Sequence, residues 1–270
     1  MYEEFFGMKH TPFVNNMPTD KLFTTQAMEE ALNRLQHAAE NQMFAVVTAD
    51  PGCGKSTLIR KLASVLPKGQ YLVLYLSDSN LTPRWFYGGL LSQLGIVPRY
   101  YRGDSKRQLK QQIDVVKNVY HQQLVCIVDE AHLLERESLE EIRFVLNDKY
   151  DSQSPMALIL VGQPELVDTK LCMHQYEAVK QRIRICCKLP HLDRSETEKY
   201  INSHLNYAEC RQEIFTSSAI DEIYSTSNGT MRLINLICDN VLTYAFQQGH
   251  RLVDDHIVKS VIASEPVFLI

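Results

Sequence analysis

The 270 residues contain no window that approaches the roughly 18 consecutive apolar residues a helix needs to span a bilayer. The opening stretch MYEEFFGMKHTPF lacks the basic start of a signal peptide and is acidic instead. Both absences predict a cytoplasmic protein without a membrane partner. The seven cysteines (Cys53, Cys126, Cys172, Cys186, Cys187, Cys210, Cys238) include no C-x-x-C pair, which removes the usual signature of a metal or redox centre. An odd number, with Cys126 inside an apolar run, reads as buried and reduced thiols. Internal repeats and low-complexity linkers are missing as well. A basic balance is also lacking: the formal net charge is −4, so any grip on nucleic acid must come from a local patch.

What the chain does have is core material. It is 45% hydrophobic and 22% charged, enough for one sizeable core and a smaller satellite domain. TTQAMEEALNRLQHAAEN places Met28, Leu32, Leu35 and Ala39 on one helical face. MFAVVT (43–48) is a short apolar strand entering a Gly-rich loop, and the helix after that loop runs to about Leu66. YLVLYLS (71–77), LVCIVDEAH and MALILVGQPEL (156–166) read as further strands. RWFYGGLLSQLG, ended by Gly95, the stretch from Lys106 to His121, and SLEEIRFVLND read as helices. Continuous apolar strands alternating with helices predict an α/β fold with a parallel sheet covered on both faces. After CCKLPHLD no clear strand is legible. Asp193, three residues before Glu196, predicts an N-cap that opens a helical C-terminal unit, with Gly229 and Gly249 as natural stops. The boundary is expected near Leu192.

ADPGCGKST, from Ala49 to Thr57, nearly spells the phosphate loop G-x-x-x-x-G-K-[ST], with Ala49 in place of the first glycine. The expected nucleotide contacts are Asp50, Pro51, Gly52, Cys53, Gly54, Lys55, Ser56 and Thr57. Backbone N–H groups would wrap the phosphates, Lys55 would reach the β- and γ-oxygens, and Ser56 would offer its hydroxyl to Mg²⁺ at the positive end of the next helix. A small side chain suffices at the strand exit occupied by Ala49, whereas Gly52 and Gly54 stand where backbone must approach phosphate closely.

LVCIVDEAH supplies the other half. Asp129 falls at a strand end, where a carboxylate can hold a water on Mg²⁺, and Glu130 beside it can polarise the attacking water. The pair would otherwise simply cap the next helix. Its strand is expected to lie next to the one feeding the loop. The two motifs together predict Mg²⁺-dependent ATP hydrolysis. The letters DEAH also suggest a helicase, but that enzyme needs a second motor domain and a Ser-Ala-Thr segment, and here the next strand ends LVGQP.

FFGMKHTPF, ADPGCGKST, LTPRWFYGGLLSQLG, VDEAHLL, LILVGQPEL, VKQRIRI and NGTMRLINLICDNVL together resemble the AAA+ ATPases of the ExeA type, related to the transposition ATPases MuB, TnsC and IstB. The resemblance covers essentially the whole chain. It implies a P-loop AAA+ fold: a nucleotide-binding α/β domain over 1–192, whose segment 1–24 lies on the adenine side, and a helical lid over 193–270. It implies that Gln163 is the polar sensor between Glu130 and the γ-phosphate. Arg182 would be the finger offered to a neighbouring subunit, with Arg184 the alternative, and Arg232 the second sensor, reaching the nucleotide from the lid. Phe5, Phe6, Pro12 and Phe13 would line the adenine pocket or pack as plain core. Self-assembly into a hexameric ring or helical filament is implied too.

RYYRGDSKRQLKQQIDVVK sets Arg99, Arg102, Lys106, Arg107, Lys110 and Lys117 against Asp104 and Asp114, a basic patch in an acidic chain. Tyr100 and Tyr101 interleave with it, and Arg84 is expected on the same face. Arg84, Arg102, Lys106 and Arg107 are the candidate phosphate contacts to duplex DNA, unless this is an ordinary solvated helix. Two functions follow. One is an ATPase that assembles on duplex DNA and recruits or activates a transposase. The other is an ATP switch for protein partners in secretion or envelope assembly. The secretion ATPase that names the ExeA type has a membrane span and a cell-wall-binding region; neither is read in this sequence, which favours the first.

Overall fold

The computed structural model describes residues 2–78, 81–146 and 154–265. Among them the elements run α1 (Tyr2–Phe5), α2 (Gln26–Glu40), β1 (Phe44–Thr48), α3 (Lys55–Val65), β2 (Tyr71–Leu76), α4 (Pro83–Gln93), α5 (Arg102–Asn118) and β3 (Gln123–Val128). There follow α6 (Arg136–Val145), β4 (Ala157–Gly162), α7 (Glu165–Asp168), α8 (Glu177–Lys180), β5 (Ile183–Lys188), α9 (Arg194–Tyr207), α10 (Ser217–Ser227), α11 (Met231–Gln248) and α12 (Asp255–Ser264).

The strands form one parallel sheet of order β2-β3-β4-β1-β5. Every residue of β1 and β4 is buried, as the uninterrupted apolar runs require of strands covered on both faces. Helix α2 packs against β1, β3, β4 and β5, while α4 contacts β2 and α5 contacts β3. Phe86, Tyr87, Leu90 and Leu91 of α4 and Leu109 and Ile113 of α5 share a core with Leu74, Cys126, Leu158 and Leu160.

Two expectations are corrected. IRICCK, not read as a strand, is β5; it lies at the sheet edge, and only Ile185 and Cys187 of it are buried. The strand carrying Asp129 is not next to β1. The wholly apolar β4 stands between them, pairing Thr48 with Gly162 on one side and Val128 with Leu160 on the other.

The chain divides into two compact units: a sheet unit of Gln26–Asp50 and Lys55–Leu189, and a helical unit of Met1–Thr25, Pro51–Gly54 and Pro190–Ile270. In the helical unit, α9 opens with the expected reciprocal cap. Glu196 N–H donates to Asp193 Oδ1 at 2.7 Å, and Asp193 N–H donates to Glu196 Oε2 at 3.1 Å. Helix α12 packs on α10 and α11. The segment before α2 belongs to this unit: Lys9 N–H donates to Ala208 O at 2.8 Å, and the Phe13 ring stacks on His204 at 5.1 Å. Phe6 is fully buried, and half-buried Phe5 meets Phe246 edge-on at 5.6 Å.

None of the seven cysteines is joined in a disulfide, and burial pushes the Cys126 thiol up to about 12. Cys172 and Cys186 are exposed, which corrects the expectation that all are buried. No helix among the described residues is long and apolar enough to cross a membrane.

Candidate nucleotide site

In a parallel sheet the strand ends carry the site, because each strand delivers the residue that follows it to the same edge. Here β1 delivers Ala49 and Asp50, β3 delivers Asp129 and Glu130, and β4, between them, delivers Gln163.

Ala49 is buried and continues the pairing with β4, its N–H donating to Gly162 O at 3.2 Å. The missing glycine therefore costs nothing visible. Lys55, the first residue of α3, turns its ammonium onto Ala49 O at 2.7 Å and Asp50 O at 3.1 Å. Ser56 is exposed in the first turn of that helix, with Thr57 half-buried beside it. The first turn has four backbone N–H groups without helical partners, so it favours an anion.

Asp129 is buried and held at three points. Its N–H donates to Leu76 O at 2.7 Å, Oδ1 accepts from Glu130 N–H at 2.8 Å, and Oδ2 accepts from the Tyr75 hydroxyl at 2.5 Å. Burial first, and then the bond to Asp129, raise the Tyr75 pKa, so the phenol stays a donor. Sequence reasoning missed Tyr75. Its signal was register: Tyr75 on β2 is paired with Ile127, two residues before Asp129.

Glu130 sits at φ 50°, a left-handed conformation uncommon for a residue with a side chain. Its carboxylate is partly exposed and approaches His132 Nδ1 at 3.4 Å. The Gln163 backbone N–H points to the same Nδ1, also at 3.4 Å. Lys170 Nζ donates to the carbonyls of His132 and Leu134, the latter at 2.7 Å. The structure thus brings Glu130 and Gln163 together through a histidine that sequence reasoning passed over. The hydroxyl of Ser56 and the carboxylate of Asp129 are oxygen ligands of the kind Mg²⁺ takes, so the donor set fits that ion.

Within the helical unit, the loop segment Pro51–Gly54 meets the start of α11. Gly52 and Gly54 take φ 84° and 85°, open to glycine at little cost. A Cβ on Gly52 would fall 2.8 Å from Arg232 Cβ and 3.0 Å from Thr230 Cγ2, and Arg232 N–H approaches Gly52 O at 3.3 Å. Buried Cys53 lies 3.8 Å from His191 Nδ1, which also meets Thr230 Oγ1 at 3.2 Å. Arg232 is therefore placed against the loop by backbone geometry.

Arg182 is half-buried and reaches Arg143 O at 3.4 Å, whereas Arg184 projects exposed from edge strand β5. In the basic patch, Lys106 Nζ lies 2.7 Å from Glu141 Oε1, and Arg102 lies 3.8 Å from Glu141 Oε2. The Tyr87 hydroxyl also donates to that buried carboxylate. Arg107 pairs with Asp104 at 2.6 Å. Arg84 stacks over Tyr100 at 4.7 Å, and Trp85, Tyr100 and Tyr101 are exposed.

Residues 36–169 match the family described as "AAA domain". Over 93% of its length the chain superposes on 70% of Cdc6p from Pyrobaculum aerophilum, with a TM-score of 0.72 at 15% identity. The ORC2 protein of Aeropyrum pernix, solved as ADPNP-ADP complexes, gives 0.70 at 16% identity, with the same 93% and 70% coverage. The fold is that of a P-loop AAA+ ATPase. Such a domain is in general a module that binds and hydrolyses nucleotide. In sequence, 94% of the chain is similar, at 30% identity, to the general secretion pathway protein A of Aeromonas hydrophila. The chain spans about half of that relative, 46% of its length.

Proposed function

We propose that this AAA+ module is a Mg²⁺-dependent ATPase that assembles with further copies of itself on duplex DNA and serves a transposase as its helper. The observation that carries the DNA part is the face where Arg84 stacks on Tyr100 beside exposed Trp85 and Tyr101, continuing into α5 with its basic residues. Arginine over an exposed ring combines a phosphate-seeking charge with a stacking surface. Arg84 and Arg107 are the outermost contacts in this reading; Arg102 and Lys106 are shared with Glu141.

In this reading Lys55 and the loop from Asp50 to Thr57 hold the phosphates, Ser56 and Asp129 hold Mg²⁺, and Glu130 activates water. Mg²⁺, when bound, shields phosphate charge and bridges the oxygens. Gln163 orients the reacting end, Arg232 senses nucleotide from beside Gly52, and Arg182 or Arg184 serves a neighbouring subunit. The deciding experiment is binding to unrelated duplexes with Glu130→Gln protein and ATP. Affinity should be alike across sequences and fall with salt, and Arg84→Ala with Arg107→Ala should flatten the per-protomer slope of log K against log[salt] by up to about 2. Unchanged binding in that double variant would remove the DNA face.

The similarity to a secretion pathway protein favours a second reading, an ATP switch for protein partners in secretion or envelope assembly. Indifference of the unmodified protein to duplex DNA in the presence of ATP would select it.

A further inference from the structure

His132 presents one ring nitrogen to two groups that cannot both use it. Nδ1 lies 3.4 Å from Glu130 Oε2 and 3.4 Å from the backbone nitrogen of Gln163. With a hydrogen on Nδ1 the ring donates to the carboxylate and offers Gln163 nothing. With a lone pair there it accepts from Gln163 N–H and has no bond for Glu130. The ring is otherwise well fixed. Its side chain is only 12% exposed, and the Lys170 ammonium holds the carbonyls of His132 and Leu134. On the facing strand, a Cβ on Gly162 would fall 3.1 Å from His132 N, so β4 lies directly against this turn.

We propose that His132 is a positioning residue, a latch that alternately holds Glu130 aside and ties down the end of β4 at Gln163. Resting on the ATPase reading above, this assigns the regulation of that same site. With Nδ1–H, the Glu130 carboxylate is held on the imidazole and turned from the water it must activate. When Glu130 leaves, the other tautomer accepts Gln163 N–H, so release of the base and fixing of the sensor strand become one event. No covalent bond forms or breaks; a ring proton changes nitrogen by exchange with solvent.

The test compares His132→Leu, which can make neither bond, with His132→Asn, whose amide offers both a donor and an acceptor, in full-length protein. His132→Leu frees Glu130 but leaves the Gln163 end untied; it should lower kcat by up to about 100-fold, the loss expected when a reacting group is misplaced by about 1 Å, while ATP affinity stays within about twofold. His132→Asn should restore most of the rate. In a Glu130→Gln background, where no carboxylate competes for Nδ1, His132→Leu should still lower the residual rate, because the Gln163 end is left untied. Equal losses in both variants, a parallel loss of ATP affinity, or no further loss in the Glu130→Gln background would overturn the latch. The second readout needs no turnover: in ¹⁵N-histidine-labelled protein, Glu130→Gln should move the His132 ring-nitrogen shifts, and unmoved shifts would also overturn it. Failure of the unmodified protein to bind ATP would sink the ATPase reading by itself, leaving the latch to be decided by those shifts.

Discussion

The hydroxyl of Tyr75 donates at 2.5 Å to Oδ2 of Asp129, tying the carboxylate at the end of β3 to the neighbouring strand β2. Gln93 of α4 secures Tyr75 in turn: its amide accepts from Tyr75 N–H at 2.9 Å and donates to Tyr75 O at 2.8 Å, pairing backbone on the open sheet edge. Outer partners that orient a metal ligand are typically worth about 10-fold or more in metal affinity or activity. If Asp129 holds Mg²⁺ as proposed, Tyr75→Phe should therefore raise the Mg²⁺ concentration for half-maximal ATP turnover by about 10-fold with the fold intact. A Mg²⁺ titration of the rate checks it, and an unchanged midpoint would mean that the bond does not orient Asp129.

His204 makes the helical unit sensitive to acid. Burial pulls its pKa from 6.5 down to about 4, and its Nδ1 accepts from Phe13 N–H at 3.1 Å, so the folded unit holds the neutral ring. The unfolded chain takes up the proton near 6.5 and the folded chain only near 4. Stability is thus complete above pH 6.5 and is lost as the pH falls towards 4, by up to about 3 kcal/mol. Hydrogen exchange of α9 and α11 amides should quicken across that window, and His204→Asn should remove this part of the pH dependence. Identical profiles in the two proteins would contradict the assignment.

Lys106 has a structural duty that its charge alone conceals. Burial raises the Glu141 pKa, but bonds from Lys106 and Tyr87 and the charge of Arg102 outweigh this, and the net effect is a lowered pKa. Lys106→Ala leaves that buried carboxylate without its closest cation and should cost about 1–3 kcal/mol of stability. Exposed Arg107→Ala should cost under about 0.5 kcal/mol, its ion pair with Asp104 being at the surface. Denaturant melts of the two variants separate these outcomes, and equal midpoints would make Lys106 an ordinary surface lysine.

If copies of the chain assemble as proposed, Arg184 is the more exposed of the two arginines to offer a neighbour, since Arg182 turns back to the Arg143 carbonyl. Mixing Arg184→Ala with Glu130→Gln protein should recover part of the hydrolysis, because one interface then has both groups intact. Recovery with Arg182→Ala instead would return the role to Arg182.

Much of the sheet was legible because buried parallel strands must be apolar throughout, as FAVVT and ALILVG are. The edge strand IRICCK escaped notice because half its residues face outward, breaking the apolar run. The order of the strands was illegible for another reason: sequence separation does not say which strand is inserted between two others, and β4 takes the place beside β1 that β3 was expected to hold. Phosphate-loop residues announced themselves through glycines and a lysine at fixed spacing. Tyr75 and His132 did not, because each meets a partner that only folding brings within reach, Asp129 for Tyr75 and Gln163 for His132. The same holds for Lys106, whose partner Glu141 lies on another helix.

The most direct test of the account is ATP binding and hydrolysis by Lys55→Ala and Glu130→Gln side by side with the unmodified protein. Lys55 answers phosphate charge, whereas Glu130 acts on the attacking water. Lys55→Ala should lose ATP binding and turnover together. Glu130→Gln should keep ATP within about threefold of the normal affinity while its turnover falls by about 100-fold or more. Equal loss of nucleotide affinity in both variants, or undiminished turnover in Glu130→Gln, would contradict the account.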